Sequence, residues 1–384
     1  MQKIDIAILG GGIAGLWLLN LLVSRGYSVV LLEKEALGAG QTIASQGMIH
    51  GGVKYALQGL LTDASETIAS MPTRWQACLN GYGTLDLKAV KTLAQDYFLF
   101  SDAKLTSRVT AFLGSKTIKG RVTRVKKIEL PDVLKSPQFN GQVYRLQDFV
   151  IDVPSLIKEL ARPFHARIHT GQFELDTAQG TVNGVRLSNG TEFVAQHYIL
   201  AAGQGNGELI EKLNLPVKMQ LRPLKQVIVK GNSLPKLYAH AVSIKAGDKP
   251  RLTITTHYLD DGSTCWYLGG QLAEKGVNQS DEALIEQTKC ELRELLPWLE
   301  LSECTYQVLS INRAEPSQHE QKRPDTPYVR QFGNNTVCWP TKLTLTPLLG
   351  DMVEKLLRFA PVKDPQISIE EPVRLADAPW TKKK

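Results

Sequence analysis

The chain has no cysteine pair at metal or redox spacing. Its five cysteines, Cys78, Cys265, Cys290, Cys304 and Cys338, are odd in number and none forms C-x-x-C. That argues against a disulfide framework and for reduced thiols in a cytoplasmic protein. No apolar run approaches the ~20 residues of a membrane-spanning helix, so only peripheral membrane association stays open. The first apolar stretch is interrupted by Asp5 and a glycine turn, so it does not read as a signal peptide. Internal repeats and low-complexity linkers are missing. A basic and aromatic patch is missing too, so nucleic acid is not an expected partner. The net charge of +7 suits an anionic substrate, although Lys382, Lys383 and Lys384 supply three of those charges as a solvated tail. His165 and His169 stand four apart in H-A-R-I-H at the start of an expected strand. There i and i+4 lie far apart and no third ligand is near, so no metal is expected.

What is present is concentrated at the start. Residues 4–33 run as an apolar strand, a glycine turn, an apolar helix and a second apolar strand ending in an acid. Gly10, Gly12 and Gly15 supply G-x-G-x-x-G. The first permits a tight turn, the second lets backbone approach a pyrophosphate, and the third lets helix pack closely on strand. The helix N-terminus at Ile13 and Ala14 then points N–H groups at phosphate. Glu33 is placed to accept hydrogen bonds from a ribose, with Lys34 beside it. An adenine dinucleotide site follows, and NAD and FAD fit it equally well.

Composition is that of a globular protein, 43% hydrophobic and 22% charged over 384 residues, enough for two domains. Helical patterning covers residues 63–79 and 86–96. Strands are expected at V-T-R-V and Q-V-Y-R-L, a helix at 152–161 entered through Pro154, and a strand near 166–173. A hairpin follows at 181–194 with N-G turn signals at 183–184 and 189–190. Residues 198–203, Y-I-L-A-A-G, are an apolar strand ending in small residues. Residues 217–272 are strand-rich, 281–296 is a helix closed by Pro297, and 336–339 is a strand before a helix over 347–359. This alternation predicts interleaved domains in an α/β fold: a Rossmann-like domain with a parallel sheet, carrying an inserted, mainly antiparallel substrate domain. The expected division is 1–80, 150–215 and 310–384 for the first and 81–149 and 216–309 for the second.

In this order of segments the chain resembles the FAD-dependent oxidoreductases of the D-amino-acid oxidase superfamily. That group holds glycine and sarcosine oxidases, L-2-hydroxyglutarate oxidases and glycerol-3-phosphate dehydrogenases. G-A-G-Q-T-I-A-S-Q-G-M-I-H-G-G (38–52) is similar to its second flavin segment, which implies cofactor contacts from Gln41, Thr42, Ala44, Ser45, Gln46 and Gly47. Residues 198–203 resemble the strand carrying Ala201, Ala202 and Gly203. P-T-K-L-T-L-T-P-L-L-G (340–350) resembles the closing segment, which implies contacts from Lys342, Leu343 and Thr344. The resemblance favours FAD over NAD. It implies oxidation of a small anionic amino acid or hydroxy acid by hydride transfer to flavin N5, with O2 or a quinone as electron acceptor. I-H-G-G-V-K-Y (49–55) and T-K-L-T-L-T-P (341–347) are similar to stretches of glycerol-3-phosphate dehydrogenases. On that match Lys54, Tyr55, Arg313 and Lys342 hold the anionic end of the substrate. Lys54 stands for an arginine there, Gly47 for a lysine and Thr346-Pro347 for Tyr-Arg. The alternatives are therefore a glycerol-3-phosphate dehydrogenase-like enzyme, or a non-catalytic or tRNA-modification-type flavoprotein.

His50 is the candidate proton acceptor, because imidazole takes a hydroxyl proton near neutrality. Lys342 is the candidate for stabilising negative charge at the flavin pyrimidine edge. Arg313 would hold a carboxylate bidentately, or else pair with Glu315. Tyr55, His257, Tyr258 and Tyr267 are weaker pocket candidates, each better explained by sheet packing than by substrate contact. Ala44 occupies the place where some relatives carry a flavin-linked histidine, so the FAD is expected to be non-covalent.

Overall fold

The structure is a computed structural model that describes residues 1–53, 67–101, 121–232, 234–242, 250–319, 324–362 and 367–381. Two large sheets organise it. The first is built on β1 (Gln2–Leu9), followed by α1 (Ile13–Ser24) and β2 (Val29–Glu33). β1 pairs in parallel with β2 on one side and with Glu192–Leu200 on the other. Ile168–Thr170 extends the parallel order beyond β2, and Asn335–Trp339 runs parallel to the far end of Glu192–Leu200. An antiparallel hairpin, Phe173–Ala178 with Thr181–Leu187, joins the start of Glu192–Leu200, and Tyr328–Phe332 lies antiparallel on Asn335–Trp339.

The α1 helix has almost no polar face. Nine of its twelve residues are buried, because it lies between the first sheet and the helices Val153–Ala161 and Thr346–Leu356. A helix apolar all round is stable only when covered all round. Asn20 is the polar exception within its middle turns, and its side-chain amide donates to Leu16 O at 2.9 Å and Leu160 O at 2.7 Å. Val153–Ala161 starts as its sequence predicts, with the Asp152 carboxylate accepting from Ser155 N at 3.0 Å and Pro154 in the first turn.

The second sheet is eight-stranded and antiparallel except for one parallel pair, Ala239–Val242 with Tyr97–Ser101. Its order is Thr305–Pro316, Met219–Lys230, Thr264–Gly269, Leu252–Tyr258, Ala239–Val242, Tyr97–Ser101, Gln142–Leu146 and Val122–Arg124. One face carries Val227, Val229, Leu252, Ile254, Trp266 and Leu268, packed under the helix Asp281–Leu295 through Leu284, Leu292 and Leu295. A small third sheet joins Met48–Ile49, Phe149–Ile151 and Thr92–Ala94. Among the described residues no helix is long and apolar enough to cross a membrane.

Several local expectations are corrected. Residues 86–96 are not helical: they turn and enter the strand Thr92–Ala94, which the adjacent Phe149–Ile151 recruits. The Asn183-Gly184 pair lies inside Thr181–Leu187, because the preceding turn is made by Gln179 and Gly180, both at positive φ (48° and 78°). The strand expected near 166–173 is interrupted: 162–167 is a 3-10 stretch, and only Ile168–Thr170 joins β2. The last helix, Thr346–Leu356, stops three residues short of the expected end.

Candidate functional site

The glycine turn has the geometry its sequence demands. Gly10 has φ +114°, and a Cβ there would lie 2.5 Å from Ala202 Cα and 2.6 Å from Ala201 O. The A-A-G end of Glu192–Leu200 therefore abuts the turn. A Cβ on Gly15 would lie 1.9 Å from Gly10 O, so helix and strand meet backbone to backbone. Gly12 is the N-cap of α1 and carries no side-chain cap, and the first turn holds no acid. Thr42 Oγ1 accepts from Ile13 N at 3.1 Å, bringing the 38–47 segment to the helix end, with Ala14 in the same first turn. Glu33 closes the loop, its Oε2 accepting from Gly11 N at 2.7 Å and its Oε1 from Glu35 N at 2.9 Å. Lys34 is exposed and faces Glu208 at 3.4 Å. A helix N-terminus with a glycine N-cap and no acid in its first turn, beside a backbone-lined cradle and a carboxylate, fits the diphosphate and ribose of an adenine dinucleotide.

The middle segment reaches across to the second sheet. Gln41 Oε1 accepts from Ala314 N at 3.2 Å. Ala44 O lies 2.9 Å from the Tyr267 hydroxyl, which is also 2.9 Å from Gln226 Oε1. Gln46 Nε2 donates to Tyr267 O at 2.7 Å and Thr255 Oγ1 at 3.2 Å. Ser45 Oγ accepts from Gly47 N at 3.2 Å. Gly47 itself has φ +70°, and a Cβ there would sit 2.1 Å from Ile151 O.

At the far end, His50 is buried and doubly tied to Thr344. His50 N donates to Thr344 Oγ1 at 3.3 Å, and that hydroxyl donates back to His50 O at 3.1 Å. Gly51 N adds a bond to Asp148 Oδ1 at 2.8 Å. Thr344 belongs to a single 3-10 turn, Leu343–Leu345, which Lys342 precedes. The Lys342 side chain is only 3% exposed, with Nζ 3.4 Å from Asp325 O and 3.5 Å from Asp325 Oδ1. The structure thus brings His50, Lys342, Leu343 and Thr344 together. Lys54 and Tyr55 lie outside the described residues.

Arg313 sits opposite Arg222 in the second sheet, its Nε 3.5 Å from Arg222 O. Glu315 does not pair with it. Glu315 is buried and taken by Arg222, at 2.6 Å from Nε and 3.2 Å from Nη2, and by Gln220 Nε2 at 3.0 Å. Arg222 comes from a neighbouring strand, which adjacency in sequence could not reveal.

The sequence reading named His257 and Tyr267 only as weaker candidates and passed over the rest of a buried polar face. Thr253, Thr255 and His257 alternate along one strand, opposite Gly269, Tyr267 and Cys265, and all three are buried. Gln226 and His240, from neighbouring strands, are buried beside them, with His240 Nδ1 2.9 Å from Thr253 Oγ1. The signal was present in L-T-I-T-T-H-Y, where a strand inside an apolar protein places polar groups at every second position. His257 Nε2 lies 3.0 Å from Thr255 Oγ1, and among the described residues its Nδ1 meets no hydrogen-bond partner. Burial holds this imidazole neutral, its pKa pushed down to about 3, and raises the pKa of the Tyr267 hydroxyl. Tyr258 ends the strand at 36% exposure and stays outside this face. His169, one half of the rejected metal pair, lies 2.6 Å from Glu371 Oε2 through Nδ1.

The family profile described as DAO, FAD dependent oxidoreductase, matches residues 5–331. A protein of Pseudomonas aeruginosa, described as a probable FAD-dependent oxidoreductase, is 44% identical over 351 residues, 91% of this chain and 89% of that one. A crystal structure of an FAD-dependent oxidoreductase from Pseudomonas aeruginosa superposes with a TM-score of 0.85 at 38% identity, covering 98% of this chain and 97% of that one. A glycerol-3-phosphate dehydrogenase of Mycobacterium bovis is 36% identical over 234 residues, 55% of this chain and 44% of that one. With a dinucleotide cradle leading to a buried polar face, and a family match over most of its length, the chain belongs to the DAO family of FAD-dependent oxidoreductases and is an FAD-binding enzyme.

Proposed function

We propose that this enzyme oxidises a small anionic amino acid or hydroxy acid at the carbon bearing its nitrogen or oxygen. One observation carries this reading: the polar face of Thr253, Thr255, His257, Gln226 and Tyr267 is buried, yet bonded directly to the 44–46 segment. Polar groups held in a low-dielectric interior are costly unless they meet partners. Trp380 closes the His257 end of this face, so Thr253, Thr255 and Gln226, beside the 44–46 segment, are the groups that would meet a small polar molecule.

When bound, the FAD isoalloxazine supplies the acceptor for the electron pair leaving the substrate carbon. Gly10, Gly12, Gly15 and Glu33 would hold its adenosine and phosphates, and residues 41–47, 201–203 and 342–344 the rest. His50, fixed through its backbone by Thr344, takes the proton from the substrate oxygen or nitrogen. Lys342 brings a buried positive charge to the turn beside His50, where negative charge develops. Arg222 rather than Arg313 neutralises Glu315, and the Arg313 guanidinium would clamp the substrate carboxylate. The electron acceptor, O2 or a quinone, is read from which of them reoxidises the reduced protein.

The partial match to a glycerol-3-phosphate dehydrogenase favours a second reading, in which the anion is a phosphate. Gly47 weighs against it: a side chain there would run into the Ile151 carbonyl, so this chain has no room for the lysine of that pattern. The test is anaerobic mixing of the FAD-loaded protein with amino acids, 2-hydroxy acids and glycerol 3-phosphate. Bleaching by an amino or hydroxy acid supports the first reading and bleaching by glycerol 3-phosphate the second. No bleaching by any compound points to a flavoprotein without small-substrate turnover, such as a tRNA-modification subunit.

A further inference from the structure

We propose that residues 367–381 form a strap that positions the cofactor-binding loops from both ends, with Trp380 as its anchor on the second sheet. It rests on the reading that Glu33 and the 38–47 segment hold FAD. The strap starts on the first sheet, where Ile367 and Ile369 are buried and Ile369 N donates to Ala166 O at 2.8 Å. Glu371 Oε2 then lies 2.6 Å from Nδ1 of the buried His169, and its Oε1 accepts from Asn189 Nδ2 at 2.8 Å. Thr170 Oγ1 donates to Pro372 O at 3.2 Å and accepts from Arg374 N at 3.0 Å, and Arg374 Nη2 donates to Thr170 O at 3.0 Å. Thr170 is the register partner of Glu33, the acid aimed at the ribose.

The next contact reaches the glycine turn. Leu37 N donates to Arg374 O at 2.8 Å, and Leu37 O accepts from Ala376 N at 3.0 Å. Leu37 in turn packs on Gly11, whose Cβ would lie 2.5 Å from Leu37 Cδ2, while Gly38 N donates to Gly11 O at 2.8 Å. Past Leu37 the strap crosses to the other sheet. Trp380 is buried, stacked on His257 with ring centroids 4.0 Å apart and planes 26° apart, and edge-on to Tyr267 at 5.7 Å. The Tyr267 hydroxyl bonds Ala44 O. Trp380 therefore acts through Tyr267 on the 44–46 segment, as Arg374 and Ala376 act through Thr170 and Leu37 on Glu33 and Gly11. These loops gain order from the strap before ligand arrives, and order supplied in advance is not charged to the binding step.

The test titrates apoprotein with FAD and records the visible circular dichroism of the bound flavin and the rise in Tm on adding FAD. Trp380→Ala is expected to raise the Kd for FAD about tenfold and to change the flavin dichroism. Trp380→Phe keeps a ring on His257 and restores both. Ala376→Pro removes the N–H that meets Leu37 O and is also expected to raise the Kd about tenfold. Wild-type Kd and dichroism in Trp380→Ala and Ala376→Pro, or a Tm lowered equally with and without FAD, would overturn the strap as a positioning element. If Trp380→Ala does not fold, Ala376→Pro and Trp380→Phe decide by the same readouts. Wild-type apoprotein that fails to take up FAD would overturn the cofactor placement, and the strap with it.

Discussion

Gly15 lies so close beneath Gly10 that a Cβ on Gly15 would stand 1.9 Å from the Gly10 carbonyl oxygen. The collision is with backbone, which cannot rotate aside. Gly15→Ala must therefore push α1 off β1 and open the turn at the helix N-terminus, at a cost of about 1–3 kcal/mol or more. The expected result is protein that purifies without FAD, measured as the ratio of flavin absorbance to protein absorbance. Full flavin content in Gly15→Ala would refute the close-packing argument.

His50 is held at its backbone, so its imidazole can be changed without unlocking the turn. His50→Gln is expected to bind FAD as wild type does and to slow anaerobic flavin reduction by about 10²-fold, the lower range of general-base effects. An unchanged reduction rate in stopped flow removes His50 from proton transfer.

Lys342 is a buried cation one residue before the turn that locks His50. Lys342→Met keeps the stem and deletes the charge. The flavin potential is expected to fall by about 30 mV, equal to about 1.4 kcal/mol for a two-electron couple. A potentiometric titration indistinguishable from wild type would place the ammonium away from the flavin.

Two buried imidazoles set the acid limb of stability. Burial holds His257 down to about 3 and His197 down to about 4. Between those values and the ordinary value of about 6.5, the unfolded chain binds protons that the native chain refuses. Stability is therefore complete above about pH 6.5 and falls as pH drops toward 4, by up to about 1.4 kcal/mol per pH unit for each imidazole. His197 bonds Thr336 Oγ1 at 2.8 Å, on the strand that leads into Ala201. His197→Gln should flatten the slope of Tm against pH between 4 and 6.5 by one proton's share, and an unchanged slope counts against this origin.

The attachment of FAD is expected to be non-covalent. On the resemblance Ala44 occupies the place where some relatives carry a flavin-linked histidine, and Cys338 is buried in its strand with its thiol pKa pushed up to about 12 by burial. Acid precipitation should leave a colourless pellet under a yellow supernatant. A yellow pellet would show a covalent bond.

The strand, turn and helix of residues 2–24 were legible because their constraints are local. Gly10 needs its φ, Gly15 needs the missing Cβ, and α1 needs burial on every side, all within one contiguous stretch. The helix at Asp281–Leu295 was legible for the same reason, with Ser280 capping Ala283 N at 3.2 Å and Pro297 following. Both strands of the hairpin at 181–194 were found, with the turn at Asn189-Gly190 between them, but Asn183-Gly184 is strand and not turn. Asn183-Gly184 carries the same turn chemistry as Asn189-Gly190, and only pairing with Phe173–Ala178 settles which one bends.

By itself the sequence determined the dinucleotide cradle, the flavin family and the identity of the candidate groups His50, Lys342 and Arg313. Tertiary structure alone decided which acid Arg222 takes, which face of the second sheet is polar and buried, and what Trp380 rests on. Alternation along L-T-I-T-T-H-Y defines two faces but not what covers each, because the cover comes from segments over 100 residues away in the chain, such as Gln46. A glycine's collision is written into its own neighbourhood, whereas burial belongs to the assembled chain.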